Sequence, residues 1–395
     1  MQHEVDFLII GAGMAGEAAA QAIRGARPEA TVAILGAEAD PPYDRPPLSK
    51  ALWKDAAEES IWKPIEQARA TLELGRRATA LDRSAHVVTD DRGDRWRYGR
   101  LLLATGGTPR TLPFGDGFIY FRTFADYRRL REAARPGARI AVIGGGFIGS
   151  EIAAALTFAG CRTTMLFPEP SIGARAYPAA LAASVTDYYR DKGVEVRAGV
   201  TATGSRVAGN ETELTLSDGS TLTADAVVAG LGILPNIELA RAAGLDLDLG
   251  GIVVDDHLRS SDPDIWAAGD VATFPAPALG RHLRVEHENA AVTTGRLAGL
   301  NMAGQATAYA ELPFFYSDLF DLGYEAVGIL DARLETVEQW VTPYREGVVY
   351  YLEGGRVRGV LLWNTWGQVD AARALIAAPG PFDAASVRGR LPAEG

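Results

Sequence analysis

Hydrophobic positions in this chain come in short blocks, and glycines close most of them. Residues 5–10, VDFLII, form an apolar run of the length a buried parallel strand needs. The run leads into Gly11-Ala-Gly13-Met-Ala-Gly16, and the alanine-rich EAAAQAIRGA after it predicts a helix. A second apolar block, TVAIL at 31–35, predicts the next strand. The same order returns from Arg139: strand RIAVI, turn Gly144-Gly-Gly146-Phe-Ile-Gly149, helix SEIAAALTFAG and strand CRTTMLF at 161–167. One GxGxxG carries little weight. Two, each between a strand and a helix and each about 20 residues before a further strand, form a repeated unit. The first glycine permits a tight turn, the second lets backbone reach a pyrophosphate, and the third lets helix pack on strand. The helix N-terminus then offers N–H groups and partial positive charge to the phosphates.

Three further apolar runs end in glycine motifs: LLLATGGTP at 101–109, which holds Thr105 and Gly106; AVVAGLGILPN at 226–236, which holds Gly232; and DIWAAGD at 264–270, which ends on Asp270. Between 190 and 228, the segments KGVEVRAG, TELTLSDGS and TLTADAVV predict a three-stranded meander with a DG turn. A comparable meander is expected over 70–100 from ATLELG, HVVTD and DRWRYG. The chain is therefore read as interleaved. A first nucleotide domain covers 1–112 and 243–310, a second covers 113–242, and a tail covers 311–395. The tail is rich in aromatic residues, among them Phe314, Phe315, Tyr316, Tyr324, Trp363 and Trp366, and reads as strand-rich. The expected class is α/β, with two Rossmann-like dinucleotide-binding domains and a C-terminal α+β domain.

Composition narrows the function. The 395 residues are 23% charged and 47% hydrophobic, as in ordinary globular proteins. A net charge of −11 argues against nucleic-acid binding and against docking on anionic membrane. The lone Cys161 excludes a disulfide framework, a cysteine-based metal site and an intramolecular redox dithiol. His3, His86, His257, His282 and His287 show no ligand-like spacing, so no metal is expected. No apolar run is long enough for a membrane helix, and the acidic start lacks a basic signal-peptide region. The expectation is a soluble cytoplasmic protein without membrane insertion.

The order GxGxxG, Pro42-Tyr-Asp-Arg45-Pro-Pro-Leu-Ser-Lys50, Ala-Thr-Gly, GGGFIGSE, GxxPN and AAGD resembles the two-dinucleotide-binding-domain flavoprotein reductases. It is similar in particular to the NADH-dependent ferredoxin reductases of oxygenase systems and to apoptosis-inducing factor, over nearly the whole chain. The tail looks more like apoptosis-inducing factor at Arg284-Val-Glu-His287, Ser317-Asp-Leu, Gly323-Tyr-Glu-Ala-Val-Gly328 and Leu362-Trp-Asn364. The long inserted loop of the animal protein is absent, so a death-related role is not supported.

The resemblance implies a glutathione-reductase-like arrangement, with FAD on the first glycine turn and NADH on the second. The family usually places an acid after the second strand to hold the adenosine ribose. Ala37 stands there, so Glu38 is assigned the role, the alternative being a weaker hold on FAD. Arg45 and Lys50 match FAD contacts. Lys50 is expected near flavin N5, where it stabilises charge on the reduced ring, and Glu151 matches its partner. These two are the catalytic assignments. Asp270 matches the acid that holds the ribityl chain. Glu286 and His287 precede a helix whose dipole would favour the anionic hydroquinone, though His287 also fits a structural role. Glu169 would accept hydrogen bonds from a 2′-hydroxyl and repel a 2′-phosphate, favouring NADH over NADPH, while nearby Arg175 could bind a phosphate. Gly232 lets the nicotinamide nucleotide approach, and Phe147 and Ile148 line its path. Tyr316 stands where the apoptosis-inducing-factor branch usually has Trp, either beside the flavin or in the core. Asn364 is a weaker cofactor contact, and Cys161 reads as a buried small residue.

The implied activity is hydride transfer from NADH to flavin N5, then single-electron transfer to a separate acceptor. The leading acceptor is a [2Fe–2S] ferredoxin or rubredoxin-like protein. The rivals are a quinone reductase or a redox sensor with a stable FADH⁻/NAD⁺ charge-transfer complex, and a non-catalytic flavin-binding assembly protein. Monomer and homodimer both remain open. Candidate docking arginines for an acidic partner are Arg76-Arg77, Arg95, Arg97 and Arg100, and the cluster Arg128, Arg129, Arg131 and Arg135.

Overall fold

The computed structural model describes residues 1–392. Its helices are α1 (Met14–Ala26), α2 (Phe124–Ala133), α3 (Phe147–Phe158), α4 (Ala179–Asp191), α5 (Glu238–Ala242), α6 (Glu288–Met302), α7 (Val369–Ala377) and α8 (Ala384–Val387). The chain divides into two compact units. One comprises Met1–Asp44, Ala57–Thr108 and Ile233–Pro313; the other comprises Arg45–Ala56, Pro109–Gly232 and Phe314–Gly395.

The first unit is built on β1 (Gln2–Ile10), β2 (Val32–Gly36), β3 (Thr71–Leu74), β4 (Ala78–Asp82), β5 (Val87–Asp90) and β6 (Arg95–Leu103), in the order β3-β2-β1-β6-β5-β4. β1 runs parallel to β2 and to β6, and the strand Ile265–Ala267 runs parallel to the far side of β6. Leu8, Ile9, Ile34, Leu101, Leu102 and Ala267 are fully buried, which suits strands covered on both faces. α1 packs against α6. Residues 70–100 correct the expected meander. ATLELG supplies β3, which joins the parallel sheet beside β2, and the antiparallel run is β4-β5-β6.

The second unit holds a parallel sheet in the order 195–198, 162–167, 139–143, 226–229, 119–120. Here too the meander differs from expectation. KGVEVRAG and DAVV both enter the parallel sheet, and the antiparallel strands are Ala202–Ala208, Glu211–Leu216 and Thr221–Ala224. A capping box, Thr123 with Asp126, starts α2. The tail forms a five-stranded antiparallel sheet, Phe314–Leu319, Leu322–Gly328, Arg356–Trp363, Glu346–Glu353 and Glu335–Thr342 in spatial order, with α7 against it.

These units follow different lines from the expected domains, because the tail packs with residues 109–232, which carry the second glycine turn. Tyr351 Oη donates to the Ala176 carbonyl at 2.7 Å. Tyr177 meets Tyr324 and Trp363 edge-on, at ring-centroid distances of 5.8 and 5.5 Å. Tyr324 stacks on Trp363 at 5.6 Å. No helix of the described residues is long and apolar enough to cross a membrane.

Candidate functional site

In the first unit, β1 ends where Gly11 turns at φ +120°. A Cβ at Gly11 would lie 2.0 Å from the Ala104 carbonyl oxygen, and one at Gly16 would lie 2.0 Å from the Gly11 oxygen. Only glycine fits either position. Gly13 faces open space, and it caps α1 with no side chain on the helix end. The first N–H groups of α1 are thus left to a ligand, so the turn fits a pyrophosphate. Thr105 and Gly106 lie just beyond Ala104. Thr105 Oγ1 donates to the Asn236 carbonyl at 2.6 Å, and Asn236 Nδ2 returns a bond to the Thr105 carbonyl at 2.9 Å.

Glu38 lies two residues beyond β2, and its Oε2 accepts from Tyr43 Oη at 2.5 Å. Asp270 is buried on the short turn Gly269–Val271, whose Gly269 N–H donates to Thr294 of α6 at 3.0 Å. His287 caps α6. Burial pushes its imidazole down to about 4 against the opposing pull of Asp270, so His287 is neutral at pH 7. Arg284 donates to Glu286 Oε1 at 2.9 Å and to the Asp270 carbonyl at 3.1 Å, which gathers Asp270, Glu286 and His287 near the start of α6. The sequence reading missed Glu17, a buried acid in the first turn of α1 whose carboxyl is raised by burial, with Lys63 opposing.

The second turn repeats the geometry. Gly144 turns at φ +121°, and a Cβ there would lie 2.4 Å from the Gly230 oxygen; one at Gly149 would lie 2.0 Å from the Gly144 oxygen. Gly146 faces open space and caps α3 without a side-chain bond. Phe147 and Ile148 stand 38% and 42% exposed at the helix start. Gly232 turns at φ +77° into open space. Glu169 lies two residues beyond the strand Arg162–Phe167, and the structure joins it to Arg175 at 2.5 Å, with the arginine side chain 85% exposed.

Also in the second unit, Glu151 of α3 is 3% exposed. Its Oε1 accepts from Lys50 Nζ at 2.7 Å and from Ser317 Oγ at 2.6 Å, and its Oε2 accepts from Ser49 Oγ at 2.6 Å. Lys50 Nζ lies 5.1 Å from the centroid of the Tyr316 ring, within cation–π range. Arg45, at the start of the same segment, donates to the Arg122 carbonyl at 2.8 Å. Below Glu151, burial pushes the Tyr177 and Tyr324 phenols up, so both stay neutral. Sequence reasoning found Lys50 and Glu151 but not Ser49 or Ser317. The alternation in Phe314–Leu319 was the available signal: Tyr316 faces out and Ser317 in.

Other candidates are held locally. Asn364 Oδ1 accepts from Gly323 N–H at 2.7 Å, and its Nδ2 donates to the Arg345 carbonyl at 2.8 Å, so its side chain is engaged within the tail. Cys161 is buried, and burial raises its thiol. Arg76 is buried between Asp90 and Asp94 at 2.7 and 2.9 Å, which removes it from any docking face. Arg128 and Arg131 lie over Phe124 and Trp53, and Arg129 bonds the Gly117 carbonyl. Among the described residues, Asp255, Asp256 and His257 bring three ligand-type atoms within 4.8 Å, but the Asp255 carboxylate already accepts from the His257 and Arg259 backbone.

The family described as pyridine nucleotide-disulphide oxidoreductase matches residues 5–295, and the C-terminal region of mitochondrion-associated apoptosis-inducing factor matches 298–343. The chain is 38% identical over 384 residues to the anthranilate 1,2-dioxygenase system ferredoxin–NAD(+) reductase component of Burkholderia cepacia, covering 94% of each. It is 33% identical over 375 residues to putidaredoxin reductase of Pseudomonas putida, covering 91% of this chain and 89% of that one. A chain of the covalent putidaredoxin reductase–putidaredoxin complex superposes with a TM-score of 0.88 at 31% identity, covering 94% of this chain and 93% of that one.

Proposed function

The chain belongs to the pyridine nucleotide-disulphide oxidoreductase family, and we propose that it is an FAD-dependent NADH oxidoreductase serving a [2Fe–2S] ferredoxin or rubredoxin-like protein. The observation that carries this reading is the pair of uncapped glycine turns on one chain, together with a buried Lys50–Glu151 pair and no second cysteine. In this reading residues 1–112 and 243–310 hold FAD, residues 113–242 hold NADH, and residues 311–395 supply Tyr316 and Ser317 to the charge pair. Bound FAD supplies the chemistry that turns a hydride into two single electrons.

The chain's own residues bind and set charge. Gly11, Gly13, Gly16 and the start of α1 take the FAD pyrophosphate, and Glu38 and Asp270 take its hydroxyls. Gly144, Gly146, Gly149 and the start of α3 take the NADH pyrophosphate. Glu169 accepts from the adenosine 2′-hydroxyl and disfavours a 2′-phosphate. Lys50 balances the negative charge that reduction brings to the flavin, and Glu151 holds Lys50 in place. Because His287 is neutral at pH 7, the positive end near it is that of the α6 backbone and not an imidazolium. Two cysteines would be needed to pass electrons through a disulfide, and the sequence has one. A cytoplasmic site of action belongs to the same proposal, NADH being the donor.

The match of residues 298–343 to the apoptosis-inducing-factor C-terminal region favours a second reading, an NADH:quinone reductase or redox sensor with a long-lived charge-transfer complex. Anaerobic reduction by NADH followed by mixing with a [2Fe–2S] ferredoxin separates the two. Rapid reoxidation of the flavin by ferredoxin supports the reductase. A persistent band above about 600 nm that ferredoxin leaves unchanged supports the sensor.

A further inference from the structure

We infer that Ser317 is a positioning residue for the Lys50–Glu151 pair, so that a strand of the tail helps build the reactive centre. The inference rests on the role of Lys50 proposed above. Glu151 is almost wholly enclosed, and a buried carboxylate needs donors on its lone pairs. Three donors meet it. Ser49 takes Oε2, while Lys50 and Ser317 share Oε1. An ionised carboxylate is an acceptor only, and all three partners donate. Ser49 and Lys50 are adjacent in one segment and move together. Ser317 comes from elsewhere in the chain and is 1% exposed, so it supplies the independent anchor.

The strand Phe314–Leu319 grips both halves of the pair. Ser317 holds the carboxylate, and its neighbour Tyr316 lies 5.1 Å from the ammonium. Adjacent residues of a strand point to opposite faces. This strand lies at the edge of its sheet, so an ion pair can meet both faces. Ser317 is paired in register with Tyr324, which is buried and stacked on Trp363, so the strand is itself fixed. A lysine has a long flexible stem, and its charge is useful only where a partner holds it. Without Ser317, Oε1 keeps only the mobile donor and the ammonium gains freedom.

The test compares the holoenzyme with Ser317→Ala, Lys50→Met and the double variant, after FAD content and melting temperature have been matched. Two quantities are read: the limiting rate of flavin reduction by NADH and the flavin midpoint potential. Ser317→Ala is expected to slow reduction about tenfold with little change in the NADH concentration at half-maximal rate. The potential should fall by about 30 mV, the two-electron equivalent of a tenfold change. In the Lys50→Met background, Ser317→Ala should change neither quantity, because it acts through Lys50. Equal slowing in both backgrounds would show a merely structural role and overturn the inference. A wild-type rate and potential in Ser317→Ala, with Lys50→Met impaired, would refute the positioning role alone. A wild-type rate and potential in Lys50→Met would refute the role of Lys50 and the inference with it.

Discussion

Gly11 and Gly144 turn at φ +120° and +121°, and Gly13 and Gly146 sit at (−88°, −171°) and (−85°, −169°). The third glycine of each turn lies the same 2.0 Å, by its absent Cβ, from the oxygen of the first. The packing around this shared backbone differs. In the first turn the bulk sits at Ala12 and the space at Gly36. In the second, Gly145 gives way to the ring of Phe167. α1 is sealed along its length by α6, where a Cβ at Gly295 or Gly299 would lie 2.2 or 2.4 Å from the Ala15 or Ala19 carbonyl. Its first residues, Met14 and Ala15, are buried, whereas Phe147 and Ile148 at the start of α3 are exposed. In the proposed function, phosphate geometry fixes the turn, and the use of the ligand fixes the surroundings. A helix whose first residues are buried suits a resident cofactor, and one whose first residues are exposed suits a cofactor that enters and leaves each cycle.

The comparison breaks most completely at the first glycines. Gly11→Ala must place a methyl group against a backbone carbonyl at positive φ, and the protein should purify colourless. Gly144→Ala should remain yellow yet lose about 100-fold in NADH-dependent bleaching. The ratio of flavin to protein absorbance and a stopped-flow trace check both. Next is the helix seal. Gly295→Val should lower stability by about 3 kcal/mol, read as a shift in the urea midpoint, because the obstacle is backbone. Gly145→Ala should cost about 1–3 kcal/mol, and Phe167→Ala, which removes the Cγ and Cδ atoms that the new methyl would meet, should recover part of that cost in the same chain. That recovery would identify the exchange of bulk between the two turns.

Smaller effects separate the two acids. Glu169→Gln releases Arg175 and should raise the NADPH-to-NADH ratio of kcat/KM about tenfold. Glu38→Gln should leave that ratio alone and speed FAD loss on dialysis. His287, in the first unit, adds a pH dependence. The folded His287 value lies near 4 against an ordinary 6.5, so the folded state binds fewer protons between these values. Stability should therefore fall as pH drops from about 6.5 towards 4, and His287→Asn should flatten part of that slope in thermal melts.

The two turns were legible because each glycine answers a local demand, a positive φ or a close approach. Lys50 and Glu151 were legible through the motifs that hold them. The strands TLEL and EVRA join parallel sheets and not meanders, because a short edge strand shows the same alternation in either and only distant partners decide. Ser317 was hidden for the same reason, since its value depends on which helix the tail strand meets. Arg76 reads as surface charge in Arg76-Arg77, yet Asp90 and Asp94 enclose it, a pairing that the adjacent residues do not announce.

The central claim is that one chain holds a resident FAD and oxidises NADH with it. Anaerobic titration of the purified holoprotein with NADH, followed at the flavin absorbance maximum, tests it most directly. The account predicts one FAD per chain and complete bleaching at one NADH per FAD. A protein that binds NADH while its flavin stays oxidised, or that carries no flavin, would contradict it.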